Sequence, residues 1–102
     1  MDKVNAVSKA RFASVKPQNI GLHHGQVLRA SLLCMEPAQQ AQIRSDGERL
    51  YYLVTGTARV QAGDETVDLA AGEMVAFAPH RPHTLTSADD RRLVCLVIEG
   101  ES

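Results

Sequence analysis

The chain has 102 residues, of which 44% are apolar and 23% are charged, and its formal net charge is −1. A chain of this length and composition is predicted to form one globular domain, without a second core and without the character of a disordered chain. The near-neutral charge gives no broad attraction to phosphate backbones or anionic membranes, so we expect no nucleic-acid and no membrane partner.

The cellular compartment is predicted from three features: a secretory signal, a membrane-spanning stretch and the state of the cysteines. Residues 1–5 show no apolar run of a secretory signal, and no apolar stretch approaches the roughly 20 residues that cross a bilayer. Cys34 and Cys95 lie in apolar stretches without a CxxC partner. We expect both to be buried and reduced, although a disulfide between neighbouring strands stays open. The sequence therefore predicts a cytoplasmic protein.

Residues 1–20 are predicted to form an N-terminal arm or edge strand, and residues 21–102 a single barrel domain. Pro17 and Gly21 interrupt any helix that could begin in the arm. We expect residues 1–10 to be loosely held, and Phe12 and Val15 to pack as an edge strand or a cover.

From residue 26 onward, short apolar or alternating runs are separated by turns. The predicted strands are 27–35, 39–45, 49–54, 57–61, 66–69, 74–77 and 92–98. Thr55-Gly56 predicts a tight hairpin between two of them. Short strands at this spacing indicate an antiparallel sandwich or barrel.

The segment Gly-Glu-Met-Val-Ala-Phe-Ala-Pro-His-Arg-Pro-His, from Gly72 to His83, follows the strand-turn run 50–60. Together the two segments resemble the signature motifs of the cupin family, with Gly72 and His83 at the right separation. Ala78, His80 and Ser87 stand where that family has a proline, a glycine and an asparagine. The resemblance implies an all-β fold, an antiparallel double-stranded β-helix of the cupin or jelly-roll type.

The first family motif, as it stands here, lacks its metal ligands. Arg49 occupies the glutamate position when counted back from Gly56, and the paired histidines of the motif would fall at Ile43 and Ser45, or at Gln42 and Arg44. A guanidinium in place of a carboxylate reverses the local charge, so this position is expected to attract an anion and repel a cation.

A transition metal needs three or more imidazole, carboxylate or thiolate ligands. His83 alone is insufficient, and Glu48 would become a ligand only through a one-residue bulge. We therefore predict no cofactor. A non-standard divalent metal site built from the remaining histidines stays open as an alternative, with the candidates His23, His24, His80 and His83.

Strand alternation predicts which side chains line the barrel. If Arg49 faces inward, Tyr51 and Leu53 do so too, while His83 would face them from the opposite sheet. The expected cavity is apolar with a few polar groups and suits a small ligand that carries a carboxylate. The predicted ligand-binding residues are Arg49, Tyr51, Ser45, His83, Phe77 and Ile43.

The leading functional prediction is a small stand-alone cupin that binds a small organic anion in its barrel without the usual metal. One alternative is a lyase or isomerase in which His83 is the catalytic acid or base and Arg49 stabilises negative charge. Another is a metal-dependent dioxygenase with the non-standard histidine site. It also stays open that Arg49 merely pairs with a surface carboxylate such as Glu48 or Glu73.

The predicted partners are a small-molecule ligand and a second copy of the chain. Leu50, Tyr52 and Val54 form an apolar row on the outward side of their strand. Such a row needs a cover, which is either the N-terminal segment or another subunit. Small cupins commonly pair through outer sheet faces, and this likeness favours a homodimer.

Overall fold

The computed structural model describes residues 1–100, which form nine strands and one short 3-10 helix, Val7–Lys9. Within those residues, no helix is long and apolar enough to cross a membrane. The strands, in chain order, are β1 (Gln18–His24), β2 (Leu28–Met35), β3 (Gln40–Ile43), β4 (Arg49–Thr55), β5 (Thr57–Ala62), β6 (Glu65–Ala70), β7 (Met74–Phe77), β8 (His83–Ser87) and β9 (Leu93–Gly100).

The strands form two antiparallel sheets that face each other. One sheet has the order β1-β2-β9-β4-β7 and the other has the order β3-β8-β5-β6. The chain passes repeatedly from one sheet to the other, which is the topology of a double-stranded β-helix. The predicted all-β fold class is therefore confirmed.

Period-two alternation explains how the sheets enclose the core. On β5, Ala58, Val60 and Ala62 are buried while the residues between them are more exposed. β8 repeats the pattern with His83, Leu85 and Ser87. Inward residues of both sheets form one apolar core because each strand turns alternate side chains toward the other sheet. Its fully buried members include Met35, Tyr51, Leu53, Leu85 and Leu93.

The predicted hairpin at Thr55-Gly56 is wrong. β4 pairs with β7 and β9, whereas β5 pairs with β6 and β8, so the two strands lie in different sheets. Gly56 is a corner with φ of 86°, and a Cβ placed there would lie 2.9 Å from the carbonyl oxygen of Arg92. Glycine fits this close approach in the left-handed region because it has no Cβ.

β1 and β8 were absent from the predicted strands. β1 starts at Gln18 and pairs with β2, so it runs across the boundary predicted at residue 20. β8 pairs with β3 and β5 and thereby completes the second sheet. The division into arm and barrel stays a prediction, and residues 101–102 of the predicted barrel lie outside the described residues.

The N-terminal segment covers part of the outer face of the five-stranded sheet. Ala6, Ala10 and Phe12 pack against an outer cluster whose buried members are Leu32, Cys34 and Val94. Ala6 and Ala10 thus contact the body of the protein, whereas the other residues of 1–10 are exposed, and the expectation that this stretch is loosely held stays a prediction. Val15, by contrast, is 89% exposed.

Two contacts hold this segment to the body of the protein. The Gln39 side-chain amide donates a hydrogen bond to the carbonyl oxygen of Ala13 at 2.8 Å. The guanidinium of Arg92 lies 4.6 Å from the ring centroid of Phe12. Val54 of the predicted outward row packs against the same outer cluster as the segment, while Tyr52 remains 39% exposed.

Both cysteines are buried free thiols, as predicted. Cys34 belongs to the outer cluster and Cys95 to the core between the sheets, so the two side chains lie on opposite faces of one sheet. A disulfide between them is thus excluded by geometry. Burial raises the pKa of Cys34, and it raises the pKa of Cys95 to about 12.

Candidate functional site

The inward direction predicted for alternate β4 residues is confirmed. Tyr51 and Leu53 are fully buried, and the Arg49 side chain is 16% exposed. Arg49 lies opposite Phe77 on β7 and Glu99 on β9. The register irregularity of β4 falls between Leu53 and Thr55, so no bulge turns Glu48 inward.

Three rings fill the barrel beside Arg49. The rings of Phe77 and His83 stack with centroids 3.8 Å apart and planes 4° apart. Tyr51 meets His83 edge-on, with a centroid distance of 5.4 Å. His83 is 4% exposed and Phe77 is 5% exposed. These rings pack on one another, and His83 also borders a depression of about 530 Å³ together with Ile43, Pro82 and Thr84.

A chain of hydrogen bonds fixes the protonation pattern of these rings. Nδ1 of His83 lies 2.8 Å from the backbone carbonyl oxygen of Arg81, which accepts only, so Nδ1 carries the proton. Nε2 must then accept from the Tyr51 hydroxyl at 2.7 Å. Tyr51 Oη in turn accepts from Nη1 of Arg49 at 3.2 Å. Both nitrogens of His83 are engaged, so neither is free to meet a substrate in this arrangement.

The environment favours the neutral forms of both rings. Burial lowers the pKa of His83, and the charges of Arg49 and Arg81 lower it further. Burial raises the pKa of Tyr51 to about 12, although the neighbouring Arg49 opposes the shift. The imidazole and the phenol are thus held neutral at physiological pH, as the direction of their hydrogen bonds requires.

Glu99 joins Arg49 to a second arginine. Nη2 of Arg49 lies 3.3 Å from Oε1 of Glu99, and Nη2 of Arg29 lies 3.2 Å from the same oxygen. The Ser45 hydroxyl donates to the other carboxylate oxygen. Partial burial acts to raise the pKa of Glu99, but the Ser45 hydrogen bond and the charge of Arg49 outweigh it and lower the pKa.

Arg49 keeps donors without a partner. Of the five N–H groups of a guanidinium, one bonds Tyr51 and one bonds Glu99 in the part of the chain that the structure describes. Nε is buried and has no acceptor within that part. Burial acts to lower the pKa of Arg49, but Tyr51 and Glu99 raise it overall, so the group stays charged.

Arg49 opens onto a space between the two sheets, which we name the inter-sheet cavity. Its volume is about 260 Å³. Leu33, Ala41, Ile43 and Val97 supply apolar walls from both sheets, and Lys16 adds a second cation. The remaining lining residues are Pro17, Asn19 and Gln40.

A second depression of about 490 Å³ lies beside the cavity, along the first two strands of the five-stranded sheet; we name it the β1–β2 groove. Asn19 and Arg49 line both spaces. The groove also contains Arg29, Glu99 and both histidines of β1. Its other lining residues are Gly21, Leu22, Ala30 and Ser31.

The residues at the family's metal positions do not fit a metal ion. Arg49 brings a positive charge, Ile43 has no donor atom, and the imidazole Nε2 of His83 accepts from Tyr51. Among residues 1–100, no three His, Cys, Asp or Glu side chains come together as a ligand set. His80, one of the alternative candidates, lies 3.5 Å from Asp46 at the surface.

The predicted site residues occupy three different settings. Arg49 and Ile43 line the inter-sheet cavity. Tyr51, Phe77 and His83 form the buried ring cluster, and Ser45 is 7% exposed and bonds Glu99. The prediction missed Glu99, Arg29, Lys16 and Asn19. A signal for Glu99 was present, because it continues the inward row of β9 that contains Leu93, Cys95 and Val97.

A family profile described as Cupin domain matches residues 31–99. No curated protein sequence matches the chain. A solved structure from Thermus thermophilus is similar, with 22% identity, a TM-score of 0.90 and coverage of 98% of this chain and 97% of that chain.

Two further solved structures are also similar. One is an RmlC-like cupin protein from Desulfovibrio desulfuricans, with 17% identity, a TM-score of 0.85 and coverage of 98% and 96% of the two chains. The other is a Klebsiella pneumoniae protein with a double-stranded β-helix domain, with 13% identity, a TM-score of 0.88 and coverage of 98% and 90%. At these identities the likeness shows the fold alone.

Proposed function

This chain belongs to the cupin family, and on that premise we propose that it binds a small organic anion in the inter-sheet cavity, with Arg49 as the main anchor. The observation that carries the proposal is a largely buried guanidinium with three N–H groups lacking partners among the described residues, at the wall of a cavity. Such a group gains more from a carboxylate than an exposed arginine does, because less water competes for it.

The lining of the inter-sheet cavity supports an anion with an apolar body. Lys16 and Arg49 supply two positive charges, and no carboxylate side chain is among the described residues of the lining. Leu33, Ile43 and Val97 offer apolar contact, while Asn19 and Gln40 can donate from their amides. A volume of about 260 Å³ lies below the roughly 300–1,000 Å³ of drug-sized sites, so the ligand is small.

Titration of the protein with butyrate, pentanoate and benzoate tests this proposal, with calorimetry giving affinity and NMR chemical shifts locating the site. Arg49→Gln is expected to weaken carboxylate binding about tenfold or more. The matched control is Arg59→Gln, since Arg59 is exposed and pairs with Asp68 on the outer face of the other sheet. Lys16→Gln provides a second cavity variant at an exposed position.

Thermal unfolding of each variant confirms that it is folded before affinity is compared. The proposal fails if Arg49→Gln and Lys16→Gln both bind carboxylates as tightly as the unmodified protein. It also fails if the shifted resonances lie outside the cavity lining.

We also propose that the protein is a homodimer that pairs through the uncovered part of the outer face of the five-stranded sheet. Leu28, Tyr52 and Met74 are 53%, 39% and 58% exposed there, next to the half-buried Leu50 and Ile98. Tyr52→Glu should yield a monomer in sedimentation, whereas Val67→Glu on the other sheet should not. Unmodified protein that sediments as a monomer at micromolar concentration would contradict this.

A cytoplasmic location fits the two free thiols, because reducing compartments keep such cysteines unpaired. We propose this location for the protein. Fractionation of producing cells, with the protein followed by antibody, checks it.

A further inference from the structure

The inter-sheet cavity and the β1–β2 groove are neighbouring spaces that share two lining residues. Asn19 and Arg49 line both. Arg29 lies on the groove side and faces the same way as Leu33, the inward residue four positions further along β2. A ligand anchored at Arg49 can therefore extend toward Arg29 without crossing a strand.

The charge of this combined surface is unbalanced. Lys16, Arg29 and Arg49 contribute three positive charges, and Glu99 is the one carboxylate among the described lining residues. The surface thus carries an excess of two positive charges with the histidines neutral. A ligand with two negative charges would balance that excess, whereas a monocarboxylate would leave half of it unmatched.

The geometry of Glu99 shows that the two arginines converge. Arg29 and Arg49 lie on the strands that flank β9, about 10 Å apart at the backbone by two strand spacings, yet both guanidiniums contact the same carboxylate oxygen. The Arg29 side chain is 44% exposed, and within residues 1–100 its ion-pair partner is that oxygen of Glu99. Its remaining N–H groups are accessible to a ligand in the groove.

We propose that the ligand is a short dicarboxylate, with one carboxylate held by Arg49 and Lys16 in the inter-sheet cavity and the other by Arg29 in the β1–β2 groove. This inference rests on the proposed function, because it assumes that Arg49 anchors an anion. Asn19, which lines both spaces, is placed to donate to the linking part of the ligand. Because the guanidiniums are close, a chain of four or five carbons is long enough to join the two anchors.

Calorimetric titration with two matched pairs of acids tests the inference: succinate against butyrate, and glutarate against pentanoate. Each diacid is expected to bind about tenfold more tightly than the monoacid of the same chain length. Arg29→Gln should remove that advantage, so that each diacid and the monoacid of the same chain length bind the variant equally tightly. Arg59→Gln should change neither the advantage nor the monoacid affinities. Because Arg29 is exposed, its substitution is not expected to impair folding, and thermal unfolding checks this.

Two outcomes separate the inference from the function on which it rests. If monoacids bind with dependence on Arg49 but diacids gain nothing, the second anchor is refuted and the anion site stands. If diacids bind more tightly but Arg29→Gln keeps the whole advantage, the second anchor is likewise refuted. If no acid binds, both proposals are overturned.

Discussion

Tyr51 and Arg49 lie two residues apart on the same face of β4, yet they belong to opposite environments. Tyr51 is fully buried, and its hydroxyl is saturated by Arg49 on one side and His83 on the other. Arg49 borders the inter-sheet cavity, and its Nε has no acceptor among residues 1–100. Two positions of one strand thus separate the buried ring cluster from the charged end of the barrel at Arg29, Arg49 and Glu99, which we call the mouth.

The polar ring atoms of Tyr51 and His83 have hydrogen-bond partners in each other, in Arg49 and in the carbonyl oxygen of Arg81. The charged groups lie at the mouth, where both arginines pair with Glu99. The interior is thus expected to determine stability, and the mouth to determine binding.

The largest expected change in the free energy of unfolding comes from a substitution in the ring cluster. Phe77→Ala removes the ring that stacks on His83 and leaves a cavity, so the free energy of unfolding should fall by about 3–5 kcal/mol in urea denaturation. Val67→Ala is the control at a half-exposed position. A loss below about 1 kcal/mol would show that the ring cluster is loosely packed.

A smaller effect on the free energy of unfolding is expected from the pH dependence of His83. The folded state lowers the pKa of His83 below its ordinary value of about 6.5, since burial favours the neutral ring. Stability from this residue is therefore complete above pH 6.5 and is lost as the pH falls through the lower folded-state pKa. His83→Gln, which costs about 1–3 kcal/mol through lost buried contacts, should flatten that part of the stability profile.

The pH profile is measured by urea denaturation at a series of pH values. His24→Gln is the matched control, because it removes an exposed imidazole of β1. It should leave the slope unchanged. If the free energy of unfolding depended on pH equally in the unmodified protein and in His83→Gln, the prediction of a buried, neutral His83 would be wrong.

At the mouth, Glu99 competes with any ligand for both arginines. Glu99→Gln is expected to tighten carboxylate binding about two- to fivefold, the equivalent of a partly exposed ion pair of about 0.4–1 kcal/mol. Calorimetry measures the change, and Asp68→Asn, which removes the exposed partner of Arg59, is the control. Weaker binding in Glu99→Gln would mean that the carboxylate positions the arginines rather than competing for them.

An effect as small as that of Glu99→Gln is expected away from both regions, in the free energy of unfolding. Ala38 has φ of 70°, in the left-handed region that costs an L-residue about 1–2 kcal/mol. Ala38→Gly should relieve this strain, and after the entropy of glycine in the unfolded chain is subtracted, the gain is about 0.5–1 kcal/mol. Ala88→Gly, at an exposed residue of ordinary φ, should destabilise. Differential scanning calorimetry of the two variants gives the comparison.

The sequence predicted the interior better than the mouth. The alternation of residues on β4 correctly predicted that Tyr51 and Leu53 face inward, because side chains of a buried strand alternate between its two faces. On β8 the buried residues His83, Leu85 and Ser87 show the same period of two. The sequence did not predict this strand because it is rich in polar residues and follows Pro82. The hairpin error at Gly56 arose because a glycine corner between sheets resembles a glycine turn within one.

Local sequence patterns could not predict which residues meet at the mouth. Glu99 meets Arg49 across 50 positions of sequence and meets Arg29 across a strand pair. Lys16 and Asn19 join the cavity through the position of the N-terminal segment, which contains no periodic signal. Such contacts depend on strand order, and strand order in two interleaved sheets is not encoded by the spacing of single residues.

The placement of the two thiols on opposite faces of one sheet provides built-in reporters of local opening. We expect Cys34 to react with a thiol reagent when the N-terminal segment detaches from the outer cluster, and Cys95 to react only when the two sheets separate. The rates at which single-cysteine variants are modified would therefore measure how often the N-terminal segment detaches and how often the sheets separate, without an attached dye.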